Sequence, residues 1–189
     1  MREIDFAVQE LENGNYIEGE KILLFILEND PENIEALYNL GICYSEMGNY
    51  KESILILEKC VDLNPFITNA VVALGFSYYK KDLYEKAINV LLQALALEPD
   101  NFFALKNLGA VYRKTGDNKR AIFYLEQAKA ITPGSHQVIL ALMQAYEDSY
   151  LFEEAKHICL EIIESSADER VKNYALAALT RISLKEKNG

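Results

Sequence analysis

Residues 31–65 read PENIEALYNLGICYSEMGNYKESILILEKCVDLNP, and this stretch decides the fold. Its first half carries an apolar stripe spaced by three, one and three residues, formed by Leu37, Leu40, Gly41 and Tyr44. This spacing predicts a helix over residues 34–47, which Gly48-Asn49 ends. A second helix is predicted over residues 50–63. It stops before Pro65 because the residue preceding a proline avoids helical geometry.

The same pattern recurs along the chain with a fixed period. The four prolines stand 34 residues apart, at Pro31, Pro65, Pro99 and Pro133. In the same register lie a glycine row (Gly41, Gly75, Gly109), a tyrosine row (Tyr44, Tyr78, Tyr112, Tyr146) and a leucine row (Leu40, Leu74, Leu108, Leu142). The turns between paired helices are predicted at Gly14, Gly48, Asp82 and Gly116. One hairpin cannot cover its own apolar face but stacked neighbours can, so the period predicts a solenoid.

The repeat resembles that of the tetratricopeptide family, which has a large apolar residue, Leu-Gly and Tyr, then Ala, an apolar or aromatic residue and Pro. Three units carry it most clearly, as Leu37-Leu40-Gly41-Tyr44 with Ser53-Leu57-Pro65, Val71-Leu74-Gly75-Tyr78 with Ala87-Leu91-Pro99, and Leu105-Leu108-Gly109-Tyr112 with Ala121-Leu125-Pro133. The resemblance implies an all-α, right-handed superhelical solenoid of five 34-residue helix–turn–helix repeats plus a C-terminal capping helix. Within one domain over residues 1–189, we expect repeats at about 1–33, 34–67, 68–101, 102–135 and 136–168 and a capping helix at about 169–187.

The first and fifth units fit the pattern less well. The first has Phe6-Ala7 in place of Leu-Gly, and the fifth has Met143 in place of Gly and Ala167 in place of Pro. Atypical units are expected at the ends of a repeat array, because one side of each has no neighbour. After the fifth unit, an apolar stripe with helical spacing predicts the capping helix, formed by Val171, Tyr174, Ala175, Ala178, Leu179 and Ile182.

Composition and charge exclude several classes of protein. No apolar run approaches the roughly 20 residues that span a bilayer, so no membrane insertion is expected. Glu3 and Asp5 stand where a signal peptide would be basic, which favours a cytoplasmic location. The net charge of −10 argues against nucleic-acid binding, because phosphate contacts require a basic surface.

Few residues are placed for chemistry. His136 and His157 lie 21 residues apart with no accompanying Cys-x-x-Cys pair, and no phosphate-binding loop is present. The spacing of Cys43, Cys60 and Cys159 matches neither a disulfide framework nor a redox motif, so buried free thiols are expected. The sequence therefore predicts no enzyme activity, no metal site and no cofactor.

A partner-binding groove is predicted because the family resemblance implies that the first helices of successive repeats line a concave wall. In the first three repeats the groove positions are apolar or aromatic, namely Ile4, Val8, Leu11, Tyr38, Ile42, Val72, Phe76 and Tyr79. The fourth adds Lys106, Asn107, Arg113 and Lys114, and the fifth adds Gln137, Gln144, Glu147 and Asp148. An exposed apolar strip of this length favours a protein or peptide ligand. The alternative is that some of these residues pack between repeats and that the basic cluster is a solvated face.

Three functions fit these features. The leading one is a non-catalytic interaction module or scaffold that binds a partner peptide or helix in the groove. A second is a self-assembling homo-oligomeric scaffold, in which the end of one copy fills the groove of the next. A third is a regulatory or recruiting subunit of a multi-protein enzyme system, with the catalytic domain elsewhere.

Overall fold

The computed structural model describes residues 2–166 and 168–188, which form eleven helices and no strand. The helices are α1 (Glu3–Glu12), α2 (Tyr16–Asn29), α3 (Ile34–Glu46), α4 (Tyr50–Leu63), α5 (Thr68–Lys80), α6 (Tyr84–Leu97), α7 (Phe102–Lys114), α8 (Asn118–Ile131), α9 (His136–Asp148), α10 (Phe152–Ser165) and α11 (Glu169–Asn188). The all-α fold expected from the sequence is confirmed. Ala167, which replaces proline in the fifth unit, lies outside the described residues.

Close packing of two helices at a glycine forms each central hairpin. A Cβ added to Gly41 on α3 would lie 2.5 Å from the Cγ of Leu57 on α4, so a larger residue would force the Leu57 side chain or the helices to shift. Beside that contact, the hydroxyl of Ser53 donates a hydrogen bond to the carbonyl of Gly41 at 2.9 Å. The same contact recurs in the pairs Gly75–Leu91 and Gly109–Leu125. The predicted role of the glycine row is therefore confirmed.

The turn inside each hairpin requires a left-handed backbone. Gly14, Gly48 and Gly116 have φ angles of +79°, +78° and +82°, and Asp82 takes the same place with φ of +59°. These four residues are the predicted turn positions. The fifth member of the row is Tyr150, with φ of +60°, which was not predicted. For a residue other than glycine, this conformation costs about 1–2 kcal/mol.

The chain divides into two compact units, with the boundary between Ala104 and Leu105. In the first unit, each of the helices from α2 to α6 packs against its predecessor. One core cluster contains Ile4, Ala7, Leu23, Ala36 and Leu40, and the next contains Leu37, Cys60 and Ala70. This layering is the nearest-neighbour packing of a repeat array.

In the second unit, α9 packs on α8, α10 on α9 and α11 on α10. The capping helix α11 buries Ala175, Ala178 and Ile182 completely, as the apolar stripe predicted. Tyr174 departs from that prediction, since it is 39% exposed and its hydroxyl accepts a hydrogen bond from Nε2 of Gln144 at 2.9 Å. A phenol at this place keeps its polar end at the surface.

The three cysteines carry free, buried thiols, as expected. Burial raises the pKa of the Cys43 thiol to about 11 and also raises the pKa of the Cys60 and Cys159 thiols. A buried thiol with a raised pKa carries little thiolate and is a poor nucleophile.

Candidate partner-binding surfaces

In the first unit, α3 and α5 present most of the predicted apolar surface. Tyr38 and Ile42 on α3 and Phe76 and Tyr79 on α5 are all partly exposed. Val72 lies on α5 as well but exposes only 8% of its surface, so it offers little to a partner. The structure thus leaves four of the predicted groove residues of α3 and α5 accessible and places the fifth in the packing.

Phe76 and Tyr79 each belong to a pair of rings, and Lys80 lies over the first pair. We call these five residues the aromatic cluster: Tyr50, Phe76, Tyr79, Lys80 and Tyr84. The ring of Phe76 meets that of Tyr50 edge-on, with centroids 6.3 Å apart, and the Tyr79 and Tyr84 centroids are also 6.3 Å apart. The Nζ atom of Lys80 lies 5.3 Å from the Tyr50 centroid and 5.9 Å from the Phe76 centroid, within the range of a cation–π interaction.

The groove prediction did not include Lys80, Tyr50 or Tyr84. A usable signal for Lys80 was its position four residues after Phe76, since side chains at i and i+4 lie on the same helix face. Tyr50 and Tyr84 begin the second helix of their hairpins, and a groove built from first helices alone leaves them out.

On α1 the structure places the predicted groove residues differently. Leu11 packs directly against Gly19 of α2, where the missing side chain provides the space. Ile4 is 7% exposed and lies in the same core cluster as Leu11. Val8 is partly exposed. Ile4 and Leu11 thus contribute to packing, which was the stated alternative for such residues.

In the second unit, the predicted polar groove residues of α7 differ in exposure. Asn107 is only 8% exposed, Lys106 and Arg113 are partly exposed, and Lys114 at the end of the helix is exposed. The ammonium of Lys106 donates a hydrogen bond to Oε1 of Gln137 at 3.3 Å, and burial lowers the pKa of Lys106. The buried Nε atom of Arg113 forms no hydrogen bond with any of the described residues.

Glu147 on α9 differs most from the expectation. Its side chain is only 5% exposed, and Arg181 on α11 donates to both carboxylate oxygens, at 2.9 and 2.6 Å. Lys185 donates a third hydrogen bond at 2.8 Å. Hydrogen bonds from Arg181 and Lys185 lower the pKa of Glu147 to about 2, against the opposing effect of burial. Glu147 therefore does not offer a free acid to a partner, because α11 already neutralises it.

The structure adds two findings on other kinds of site. Among residues 2–166 and 168–188, no group of three or more His, Cys, Asp or Glu side chains is placed to hold a metal ion. Within the same ranges, every helix is too short or too polar to cross a membrane.

Comparison with protein families gives matches over the central part of the chain. A model described as TPR repeat matches residues 75–116, and two described as tetratricopeptide repeat match residues 34–66 and 104–136. The chain belongs to the tetratricopeptide repeat family. A search of curated proteins finds no match to it.

Solved structures of this family share the fold. The crystal structure of MamA protein is 24% identical, with 98% of this chain and 90% of that chain covered and a TM-score of 0.71. TTC0263, a thermophilic TPR protein of Thermus thermophilus, is 22% identical, with 94% and 97% covered and a TM-score of 0.74. YrrB, described as a TPR protein with an unusual peptide-binding site, is 19% identical, with 93% and 90% covered and a TM-score of 0.75.

Proposed function

We propose that this tetratricopeptide repeat protein is a non-catalytic interaction module whose first unit binds a segment of a partner protein. The binding surface is the accessible face of α3 and α5, formed by Tyr38, Ile42, Phe76 and Tyr79, with Val8 on α1 as its extension. The aromatic cluster carries the proposal, because it combines two pairs of partly exposed rings, Tyr50–Phe76 and Tyr79–Tyr84, with a cation, Lys80, over the first pair. Contiguous apolar surface of this kind marks interaction sites in proteins.

The chemistry of the aromatic cluster defines the partner segment. Phe76 and Tyr79 offer large, stiff contact surfaces that lose little side-chain entropy on binding, which is typical of energetically dominant contacts. Lys80 is exposed and forms no salt bridge with a described carboxylate. The surface therefore suits an extended segment or helix with apolar anchors and one acidic group near Lys80. The fold is used in this way elsewhere, since YrrB is described as having a peptide-binding site.

In this proposal, the second unit contributes a separate, positively charged contact to partner binding. Lys106 and Arg113 on α7 supply positive charge for an acidic group of a partner, and an arginine can hold a carboxylate with two hydrogen bonds. Asn107 and Val72 act through packing, because each exposes only 8% of its surface. Leu11 acts through packing by its direct contact with Gly19.

Affinity capture with a double substitution tests the main proposal. Wild-type protein immobilised on a resin should retain a specific protein from cell extract, and Phe76→Glu combined with Tyr79→Glu should abolish that retention. Loss of two dominant contacts is worth at least about 2 kcal/mol each, which is roughly 30-fold per residue in the dissociation constant.

Leu55→Glu is the matched control. Leu55 lies on the outer part of α4 and is 67% exposed, so the same charge there should leave capture unchanged. Circular dichroism should show equal helix content in all three proteins. Equal capture by the Phe76→Glu/Tyr79→Glu variant and the wild type would refute binding at the aromatic cluster.

A further inference from the structure

The first hairpin has an uncovered apolar face, which we call the N-terminal face: Arg2, Phe6, Ile22 and Phe25. Phe6 and Phe25 are 45% and 53% exposed. All four residues line a cavity of about 490 Å³, together with Glu3 and Lys21. Two exposed phenylalanines on one surface form a large apolar patch, and such patches mark interaction sites in proteins.

The repeat explains why Phe6 is uncovered. In the next hairpin its counterpart Leu40 is completely buried in a cluster that includes Leu23 of the preceding helix α2. Among the described residues, no helix occupies the corresponding place beside Phe6. The N-terminal face is therefore shaped to receive an α-helix that carries apolar side chains, as α3 receives α2.

Phe25 is not required by the fold. Its counterparts one and two repeats later are Lys59 and Gln93, both exposed polar residues. The hairpin thus forms equally well with a polar residue at this position, and the phenylalanine enlarges the apolar area of the N-terminal face.

The second unit has a matching open surface, which we call the C-terminal face: Tyr150, Phe152, Leu176, Thr180 and Leu184. While one stripe of α11 packs on α10, Leu176 and Leu184 on another stripe are 47% and 57% exposed. Tyr150, Phe152, Thr180 and Leu184 line a cavity of about 760 Å³, which is also lined by Ala177 and by the charged residues Glu147, Asp148, Arg181 and Lys185. In the order of the repeats, α11 holds the place of a first helix. In a complete repeat, the second helix would pack on the stripe that carries Leu176 and Leu184.

The conformation of Tyr150 is separate evidence that the C-terminal face serves a ligand. It holds the left-handed conformation that glycine holds in three of the other turns, and its ring is 79% exposed, resting edge-on against Phe152 with centroids 5.9 Å apart. A strained aromatic residue that is not buried contributes nothing to the core. Such strain is found where a side chain serves a ligand.

The two faces belong to regions of opposite charge. The first hairpin, residues 2–30, contains eight acidic and two basic side chains. The helix α11 contains five basic and two acidic side chains. The opposite net charges of these two segments favour encounter between them and disfavour pairing of like ends, although the two basic side chains of the first hairpin, Arg2 and Lys21, both line the N-terminal face.

We propose that the protein associates head to tail, with the N-terminal face of one copy packed on the C-terminal face of another. The open stripe of α11, with Leu176 and Leu184, takes the place beside Phe6 and Phe25 that a preceding repeat helix would take. The contact is heterologous, so each copy in a pair retains one open face. It does not involve the aromatic cluster, which stays available to a partner protein.

A mixing experiment tests this contact. The N-blocked variant carries Phe6→Glu and Phe25→Glu, and the C-blocked variant carries Leu176→Glu and Leu184→Glu. Multi-angle light scattering should show wild-type mass rising with concentration beyond two chains. Each variant alone should remain at the 21.5 kDa of one chain. A one-to-one mixture should form dimers of twice that mass and nothing larger, because only one pair of intact faces remains.

Tyr150→Gly separates association from folding. The substitution removes the backbone strain, so the melting temperature should be unchanged or higher, while self-association should weaken by about tenfold or more as an aromatic anchor is lost. Raising the salt concentration should also weaken association, since the attraction between the charged ends is screened.

Two matched controls complete the design. Leu55→Glu with Phe66→Glu changes exposed apolar residues outside both faces and should associate like the wild type. The Phe76→Glu/Tyr79→Glu variant should do the same, so failure of groove binding and failure of self-association are distinguishable. A wild type that is monomeric up to millimolar concentration, a blocked variant that still associates, or a mixture that stays monomeric would overturn the proposal.

Discussion

Tyr79 in the first unit and Glu147 in the second occupy the same position of the repeat, two periods apart, but differ in environment. Tyr79 is partly exposed beside Tyr84, whereas Glu147 is buried and bound by two cations of α11. The repeat register determines where the backbone places a side chain. Whether that side chain is available to a partner depends on the helix that packs beside it, as α11 does for Glu147.

The largest expected effect on the free energy of unfolding is at Glu147, because α11 covers this side chain through ion pairs that require its negative charge. The folded-state pKa of about 2 lies below the ordinary value of 4.5, so the carboxylate stabilises the fold fully above pH 4.5. This stabilisation, about 3 kcal/mol by linkage, is lost as the pH falls toward 2. Glu147→Gln should therefore unfold more easily than the wild type at pH 7, and the difference should shrink to near zero at pH 2.

Chemical denaturation across this pH range measures the difference, and amide hydrogen exchange locates it. Exchange in α11 should accelerate in Glu147→Gln, while exchange in α3 and α5 should not change. Glu154→Gln is a matched control, because Glu154 is an exposed acid of the same unit that forms no salt bridge with a described residue. A stability difference between the wild type and Glu147→Gln that is independent of pH would mean that the ion pair does not hold α11.

An intermediate effect, equal in the two units, is expected at the glycine row. Gly41→Ala in the first unit and Gly109→Ala in the second each push a Cβ into a completely buried leucine, Leu57 or Leu125. Overpacking costs about 1–3 kcal/mol, partly offset by the better helix propensity of alanine. Urea denaturation should show a similar loss for both variants.

Gly134→Ala provides the baseline for this comparison, because a Cβ at Gly134 would meet nothing within 4 Å. Its free energy of unfolding should match that of the wild type. If Gly41→Ala or Gly109→Ala behaved like Gly134→Ala, the leucine side chain would be able to move aside, and close helix approach would not require glycine.

The helices, turns and close contacts could be predicted from the sequence because they depend on local features that recur every 34 residues. Gly41 and Gly48 perform their roles through backbone geometry that a single hairpin determines. Tyr150 was not predicted as a left-handed turn, because its residue type gives no such indication. Only its place in the row with Gly14, Gly48 and Gly116 could have indicated it.

The surfaces could be predicted only in part, because exposure depends on side chains far away in sequence. Glu147 looked like a free acid on α9, but the residues that bind it follow 34 and 38 positions later, on α11. Leu11 looked like a groove residue, but the missing side chain of Gly19 makes room for it inside the hairpin. In both cases a partner outside the local pattern decided the outcome.

The tyrosine row shows the same dependence on distant residues. The hydroxyl of Tyr78 in the first unit donates a hydrogen bond to Glu58, and that of Tyr146 in the second donates one to Glu126. Tyr112 instead stacks on Tyr124, with centroids 5.6 Å apart, and its hydroxyl accepts a hydrogen bond from Arg120. One row of identical residues therefore contains two kinds of tyrosine, one held by its hydroxyl and one by its ring.

The smallest expected effect distinguishes these two kinds. Tyr78→Phe removes the hydrogen bond to Glu58 and should lower the free energy of unfolding by about 1 kcal/mol, a fall in Tm of about 2–4 °C. Tyr112→Phe keeps the stacked ring and the Arg120 guanidinium 4.6 Å from its centroid, so its Tm should match that of the wild type. Differential scanning calorimetry decides between them. Equal losses in both variants would show that the two hydroxyls matter alike. No loss in Tyr78→Phe would show that water replaces the Tyr78 hydroxyl at the Glu58 carboxylate without cost.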